Sequence, residues 1–367
     1  MTTPLRDELR RWLGAQSIPA ADAAFDDRRA WNATLFDAGW AAPAWPARWG
    51  GRDAGLDDQL AYNEEMSGAG APGPVNAIGV ANIAPAIMSL GTEAQQRRFL
   101  RPMLRGDEIW SQGMSEPEAG SDLASLRCAA TYDAGDDSFV VTGQKTWNSN
   151  GHVADWCQLY VRTNPAAPKH RGITCLLVDL TLPGIQARPI TSIDGAQDFA
   201  ELWFTEVRVP AANVLGAVDE GWSVATRTLS NERAGVANLY LTQQRTFARV
   251  ATAASAAGLD PVARDELTAR YVDGRALELL AKRTIGAAQA GRPPGPEGSV
   301  IKLAWSQAGQ RLANTAADLL DDVDGSWGTA LLSSRSLTIA GGTSEVNKNI
   351  IGERVLGLPK EPAPEVP

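Results

Sequence analysis

The chain has 367 residues, 44% of them hydrophobic, and a formal net charge of −9. That length exceeds one ordinary core and predicts two or three domains, and the acidic balance argues against non-specific nucleic-acid binding. Three cysteines (Cys128, Cys157, Cys175) without metal-ligand spacing and only two histidines (His152, His170) give no basis for a zinc or histidine-iron centre. Odd, scattered cysteines fit a reducing cytosol, so a cytoplasmic location is expected. No apolar run reaches the roughly 18 residues of a membrane span, and the N-terminus lacks the apolar core of a signal peptide.

Residues 1 to about 108 read as helical. Leu9, Trp12 and Leu13 recur at helical spacing in a first helix over about 5–13. Trp40, Trp45 and Trp49 fall in a stretch broken by Pro43, Pro46, Gly50 and Gly51, which predicts a shaped loop, and a second helix starts near Asp57. Residues 75–90 are apolar and alanine-rich, as in a buried helix; Thr92 can cap the next one, with Glu93 in its first turn.

The pattern changes near Glu108. Residues 127–132, 138–142, 156–162, 172–179, 185–193 and 200–209 read as strands separated by turn clusters such as Asn164-Pro165 and Leu182-Pro183-Gly184. This predicts an antiparallel β domain of roughly 100 residues. Helical spacing returns after Pro210: one helix over 222–241, one over 265–290 with Leu267, Tyr271, Leu277 and Leu280 as a buried stripe, one over 300–320, and a last one over about 344–356. The expected fold class is α+β: an N-terminal α-helical domain (1–109), a middle antiparallel β-barrel or sandwich domain (110–213) and a C-terminal four-helix bundle (214–367).

Two runs in the middle carry chemistry. Gly113-Met114-Ser115-Glu116 leads to Ala119-Gly120-Ser121-Asp122, a stretch dense in small residues and hydroxyls. Its backbone N–H groups and the Ser115 and Ser121 hydroxyls suit an anionic or flavin-like ligand. Lys145-Thr146-Trp147, followed by Ser149, ends a strand on an indole able to stack on a flat ring. Taken alone, the same residues also fit two ordinary turns beside a core tryptophan.

With Phe199, Val207-Arg208-Val209-Pro210, Asn213-Val214-Leu215-Gly216, Gly342-Thr343-Ser344-Glu345 and Glu353-Arg354-Val355-Leu356-Gly357, those two runs resemble the signatures of the acyl-CoA dehydrogenase family, in order and over nearly the whole chain. The resemblance implies non-covalent FAD, held partly by a second subunit. It implies that Met114 and Ser115 line the flavin ring, Gly120 and Ser121 hold pyrophosphate, Trp147 stacks on the isoalloxazine and Ser149 hydrogen-bonds near N5. Thr343 and Glu345 would meet the cofactor from the final loop. The implied partners are an acyl-CoA or acyl-carrier-protein thioester, an electron-transfer flavoprotein as electron acceptor, and further subunits in a homo- or hetero-oligomer, without nucleic acid or membrane.

The family's reaction removes a proton from Cα of an acyl thioester and passes hydride from Cβ to flavin N5. It needs hydrogen bonds to the thioester oxygen as enolate charge develops, and a carboxylate in reach of the proton. Many members carry that carboxylate immediately before the Gly-Thr of the final loop, where this chain has Gly341. The Gly341 backbone N–H can still serve the thioester oxygen. Glu232, in Leu229-Ser230-Asn231-Glu232-Arg233, matches the base position of members that place it on a C-terminal helix, and Arg233 is the expected contact to CoA.

Residues 250–258 lack the Arg-x-x-Phe-Gly stretch by which many relatives reach a neighbour's FAD, and residues 319–325 lack a Gly-Gly pair. Gly295-Pro296-Glu297-Gly298-Ser299 is similar to bacterial relatives that act on bulky or steroid-derived acyl chains as mixed oligomers. Two alternatives therefore stand beside an acyl-CoA dehydrogenase: a desaturase or oxidase of carrier-bound thioesters, and a subunit that completes a partner's flavin site.

Overall fold

A computed structural model describes residues 4–235, 239–290, 295–320, 322 and 325–360, without the side chains of 230–235 and 288. The chain divides into two compact units, Met1–Asn231 and Glu232–Pro367.

The first unit begins with five helices: α1 (Pro4–Gly14), α2 (Phe25–Asp37), α3 (Leu56–Gly68), α4 (Ala84–Leu90) and α5 (Glu93–Arg105). The sequence pattern did not separate α2, whose buried residues Trp31, Asn32 and Leu35 include a polar one and leave little amphipathic contrast. The apolar run over 75–90 enters α4 through a π-helical turn at Gly79–Ile83. Thr92 caps α5 in a full capping box with Gln95, which satisfies two otherwise unpaired donors. Trp40, Trp45 and Trp49 of the shaped loop are buried in the core of this unit.

Eight strands follow: β1 (Trp110–Gly113), β2 (Ala129–Asp133), β3 (Ser138–Ser149), β4 (Trp156–Arg162), β5 (Ile173–Asp179), β6 (Ile185–Ile190), β7 (Phe199–Pro210) and β8 (Val214–Leu215). The sheet order is β6-β7-β3-β2-β4-β5-β8, with β1 pairing β4 off that path. Most neighbours are antiparallel, but β1 and β2 each run parallel to β4. Local turn signals cannot reveal such pairings, because parallel neighbours are joined by long connections.

Asn76 positions the entry into β1. Its buried amide donates to the carbonyls of Met103 and Glu108, each at 2.9 Å, and its Oδ1 accepts from Trp110 N at 2.9 Å. Phe99, Trp110 and Trp156 then pack ring on ring at 4.8–5.5 Å.

Helix α6 (Gly221–Gly235) leaves the sheet. A Cβ at Gly221 would lie 2.8–2.9 Å from backbone atoms of Ile173, Thr174 and Cys175, so only glycine permits this approach to β5. Val224, Ala225 and Thr228 continue its buried stripe.

In the second unit α7 (Leu239–Ala257), α8 (Pro261–Gln289) and α9 (Glu297–Leu320) pack on one another, and α10 (Ser326–Ser333) and α11 (Ser344–Ile350) pack on α9. The expected helix over 222–241 falls on α6 and the start of α7, with 236–238 outside the described residues. Leu267 and Leu277 are buried as the α8 stripe requires, but Tyr271 is 53% exposed and lies against Phe247 at 5.8 Å, at the edge of the stripe. The short helix α10 carries no periodic signal of its own and was not expected.

Candidate functional site

The two runs singled out in the middle of the sequence come together in the β domain. Lys145 Nζ donates to Met114 O at 3.1 Å, Thr146 N to Ser115 O at 2.9 Å, and Asn148 Nδ2 to Gln112 O at 2.8 Å. Ser111 Oγ donates to Ser149 O at 2.8 Å. Strands β1 and β3 share no ladder, so bonds such as these lace the two runs to each other.

Trp147 departs from the core role open to it in the sequence. The pairing of β3 with β7 shifts register between Lys145 and Asn148, and Trp147 sits in that irregularity at φ +60°. Bulges of this kind re-aim side chains beside active sites. A bulky residue in the left-handed region costs about 1–3 kcal/mol. Here it lifts the indole out to 57% exposure, with Phe199 edge-on at 6.0 Å.

Two residues before Trp147 the strand carries a buried ion pair. Lys145 Nζ donates to Glu116 Oε1 at 2.7 Å, with Lys145 fully buried and Glu116 8% exposed. Glu116 also accepts from Arg127 N at 2.6 Å and Cys128 N at 2.9 Å. It is thereby consumed as a structural acceptor.

Met114 and Ser115 are half-buried, while Gly120 and Ser121 are exposed on the turn that follows. Asp122 next to them is held below the usual carboxylate range, first by the Ser125 hydroxyl and then by Lys169 at 2.9 Å. The Ser115 and Ser149 hydroxyls find no partner among the described residues. Asn148 Oδ1 is buried and unpaired. An uncovered indole flanked by unpaired polar groups suits a planar, hydrogen-bonding group such as a flavin.

Beyond this turn opens a cavity of about 560 Å³, lined in part by Arg127, Arg162, Lys169, Ser125 and Thr163. Arg162 is engaged there by the carbonyls of Ala124, Lys169 and Arg171. Burial pushes the Cys128 thiol up to about 11 and the Cys157 thiol to about 12, and Cys175 higher still. None of the three is a ready nucleophile.

A second cluster lies in the second unit. Gly341 and Gly342 adopt φ +66° and +87°. Thr343 then caps α11 by accepting from Val346 N at 3.2 Å, and Glu345 is exposed in the first turn. Lys302 on α9 holds the loop from below, donating to Leu337 O at 3.0 Å and Gly342 O at 2.7 Å. Asn347 Nδ2 donates to the carbonyls of Gly342 and Thr343 at 2.8 and 3.0 Å. A cavity of about 350 Å³ is lined by Thr343 and Glu345 together with Gln307, Gln310, Ile339 and Lys348. Sequence reasoning missed those last four. Gln307 and Gln310 sit one helical turn apart on α9, a spacing that could have drawn attention to them.

Glu232 and Arg233 lie on α6, and their side chains fall outside the described residues. Thr228, one turn before Glu232, is buried and meets Gln158 Nε2 at 3.4 Å and the Tyr160 hydroxyl at 3.3 Å. Gln158 Oε1 in turn accepts from Gln112 Nε2 at 3.1 Å. Residues 250–258, where the Arg-x-x-Phe-Gly stretch is missing, lie at the end of α7 and just beyond it. No group of histidine, cysteine or acidic residues able to hold a metal occurs among the described residues.

Comparison with known proteins gives this geometry a context. The family model "Acyl-CoA dehydrogenase, N-terminal domain" matches residues 2–107, the middle-domain model 111–207 and the C-terminal-domain model 219–356. The chain is 40% identical over 352 residues to acyl-CoA dehydrogenase IpdE1 of Mycobacterium tuberculosis, covering 92% of this chain and 90% of that protein. It superposes on the ChsE4–ChsE5 complex from Mycobacterium tuberculosis with a TM-score of 0.84 at 30% identity, covering 98% and 99% of the two chains. The Tcur3481–Tcur3483 steroid acyl-CoA dehydrogenase gives 0.85 at 28% identity, with 97% of each chain covered. These matches run through all three domains in order, and on them the chain belongs to the acyl-CoA dehydrogenase family, flavoprotein oxidoreductases that desaturate acyl-CoA thioesters.

Proposed function

We propose that this chain binds FAD and desaturates a bulky, steroid-derived acyl-CoA between Cα and Cβ, with Glu232 as the base. The observation that carries the assignment of the base is Gly341. At the position where many relatives carry the catalytic carboxylate, this chain has a glycine at φ +66° in a turn that favours glycine. That leaves Glu232 on α6 as the residue matching the family's other base position. Glu232 takes the α-proton, and the Gly341 N–H donates to the thioester oxygen as negative charge develops there.

Bound FAD supplies the acceptor for the hydride leaving Cβ. Trp147 would stack on its ring, and the Ser115 and Ser149 hydroxyls would hydrogen-bond to it. By the family resemblance, Gly120 and Ser121 would hold the pyrophosphate, and Thr343 and Glu345 would supply cofactor contacts from the final loop. Arg233 contacts the CoA portion. Arg127 and Lys169 support CoA over a carrier-protein thioester, because they place cations on a cavity of an otherwise acidic chain.

The likeness to a solved steroid acyl-CoA dehydrogenase, together with the room that Gly341 leaves, supports the steroid-derived substrate. A second reading concerns assembly. The absent Arg-x-x-Phe-Gly stretch, with neighbours solved as two-protein complexes, supports a hetero-oligomer in which a companion completes the cofactor site. An electron-transfer flavoprotein would be the electron acceptor.

The test is an anaerobic titration of the FAD-loaded protein with a steroid side-chain acyl-CoA and, separately, octanoyl-CoA. Bleaching of the visible flavin band by the steroid thioester alone is expected. Bleaching by octanoyl-CoA alone refutes the substrate, and a protein that takes up no FAD by itself favours the companion-subunit reading. Glu232→Gln should keep flavin and thioester binding while turnover falls by about 10²–10⁴-fold, the usual share of a general base. Near-normal turnover in that variant eliminates Glu232 as the base.

A further inference from the structure

The geometry points to Lys145 as the residue that positions the two flavin-facing runs against each other, an inference that rests on the flavin reading above. Three observations combine. First, β1 pairs with β4, and β3 pairs with β2 and β7, so no ladder sets the spacing of residues 114–115 from residues 147–149. Second, the Lys145 ammonium is fully buried and grips two points of the first run, Met114 O at 3.1 Å and Glu116 Oε1 at 2.7 Å. Third, Lys145 stands two residues before Trp147, at the start of the register shift that holds the indole at φ +60°.

A buried ion pair is weak grounds for stability, since desolvation of both charges offsets their attraction. What it does supply is a fixed position. Glu116 is itself anchored by the N–H groups of Arg127 and Cys128, so the acceptor cannot swing to follow a displaced ammonium. The Lys145 backbone is therefore pinned at one distance from Met114, and Thr146 N reaches Ser115 O at 2.9 Å. The consequence is a slot of set width between the Ser115 hydroxyl and the Trp147 indole. Without the ammonium, the bonds of Thr146 N to Ser115 O, Asn148 Nδ2 to Gln112 O and Ser111 Oγ to Ser149 O still join the runs, but the buried tie to Met114 O and Glu116 is lost and the separation of indole and hydroxyl is set less tightly.

The test compares wild type, Lys145→Met and the double variant Glu116→Gln/Lys145→Met, each stripped of flavin and titrated with FAD. Dissociation constant and fluorescence of the bound flavin are read, and thermal unfolding is followed separately. Stacking on Trp147 quenches flavin emission, so a displaced indole shows as brighter bound flavin. Lys145→Met should weaken FAD binding at least tenfold and raise that emission. The double variant removes the stranded carboxylate charge, so it should regain thermal stability but neither affinity nor quenching. That split separates positioning from mere folding.

If the double variant binds and quenches FAD like wild type, Lys145 only neutralises Glu116 and the proposal falls. An unchanged dissociation constant and emission in Lys145→Met overturns it as well. Should Lys145→Met fail to fold, the double variant decides alone. If wild type takes up no FAD, either alone or with a companion subunit, the flavin reading itself fails, and this inference with it.

Discussion

The two clusters of site residues, one in the β domain and one on the final loop, solve the same problem in opposite ways. Both need backbone in the left-handed region, and both have a buried lysine bonded nearby. In the β domain the left-handed residue is Trp147 at φ +60°, and Lys145 two residues before it is paired with Glu116. In the loop the left-handed residues are Gly341 and Gly342, and Lys302 donates to the Leu337 and Gly342 carbonyls. The β domain has to present a side chain, so it accepts the strain of an indole there. The loop presents only an N–H, so glycine removes the strain. A site that acts through side chains needs a stiffer frame than one that acts through backbone.

Removing each lysine is the strongest way to break this comparison. Lys145→Met strands Glu116 in the interior and should destabilise the first unit by about 3–5 kcal/mol, the usual result of orphaning a buried charge. Lys302→Met strands carbonyls instead, and about 1–3 kcal/mol is expected for the second unit. Urea titrations followed in each unit would check the ranking, and equal losses would contradict it.

Swapping the left-handed residues sharpens it. Gly341→Ala adds a Cβ where φ is +66° and should cost about 1–2 kcal/mol. Trp147→Gly relieves its own strain, so unfolding should shift little while FAD affinity drops. A large loss of stability in Trp147→Gly would show that the indole is packing and not presentation. The smallest effect expected is that of Thr343→Ala, which removes the α11 cap to Val346 N and should cost about 1 kcal/mol. Hydrogen exchange at Val346 would report it.

Much of this architecture was legible because its causes are local. Thr92 was legible as a cap from its place before the helix, and the structure adds Gln95, three residues on, to complete the box. The strand over 156–162 was bounded by its own turn residues, and the structure reproduces it. Tyr271 was misread because helical periodicity gives the face of a residue but not how wide a stripe the neighbours cover. The parallel seating of β1 on β4 escaped notice because its two strands lie about forty residues apart.

By itself, then, the sequence determined the succession of helical, β and helical domains, the turns and caps, and the family to which its ordered motifs belong. These follow from periodicity, turn chemistry and short spacings, which act over a few residues. The tertiary structure alone decided that Lys145 finds Glu116 across 29 positions, that Lys302 finds Gly342 across 40, and that Trp147 is lifted outward instead of buried. Each is a long-range choice. A lysine's flexible stem and a tryptophan's rotamers leave many partners open in the chain, and only the packed sheet and bundle remove all but one.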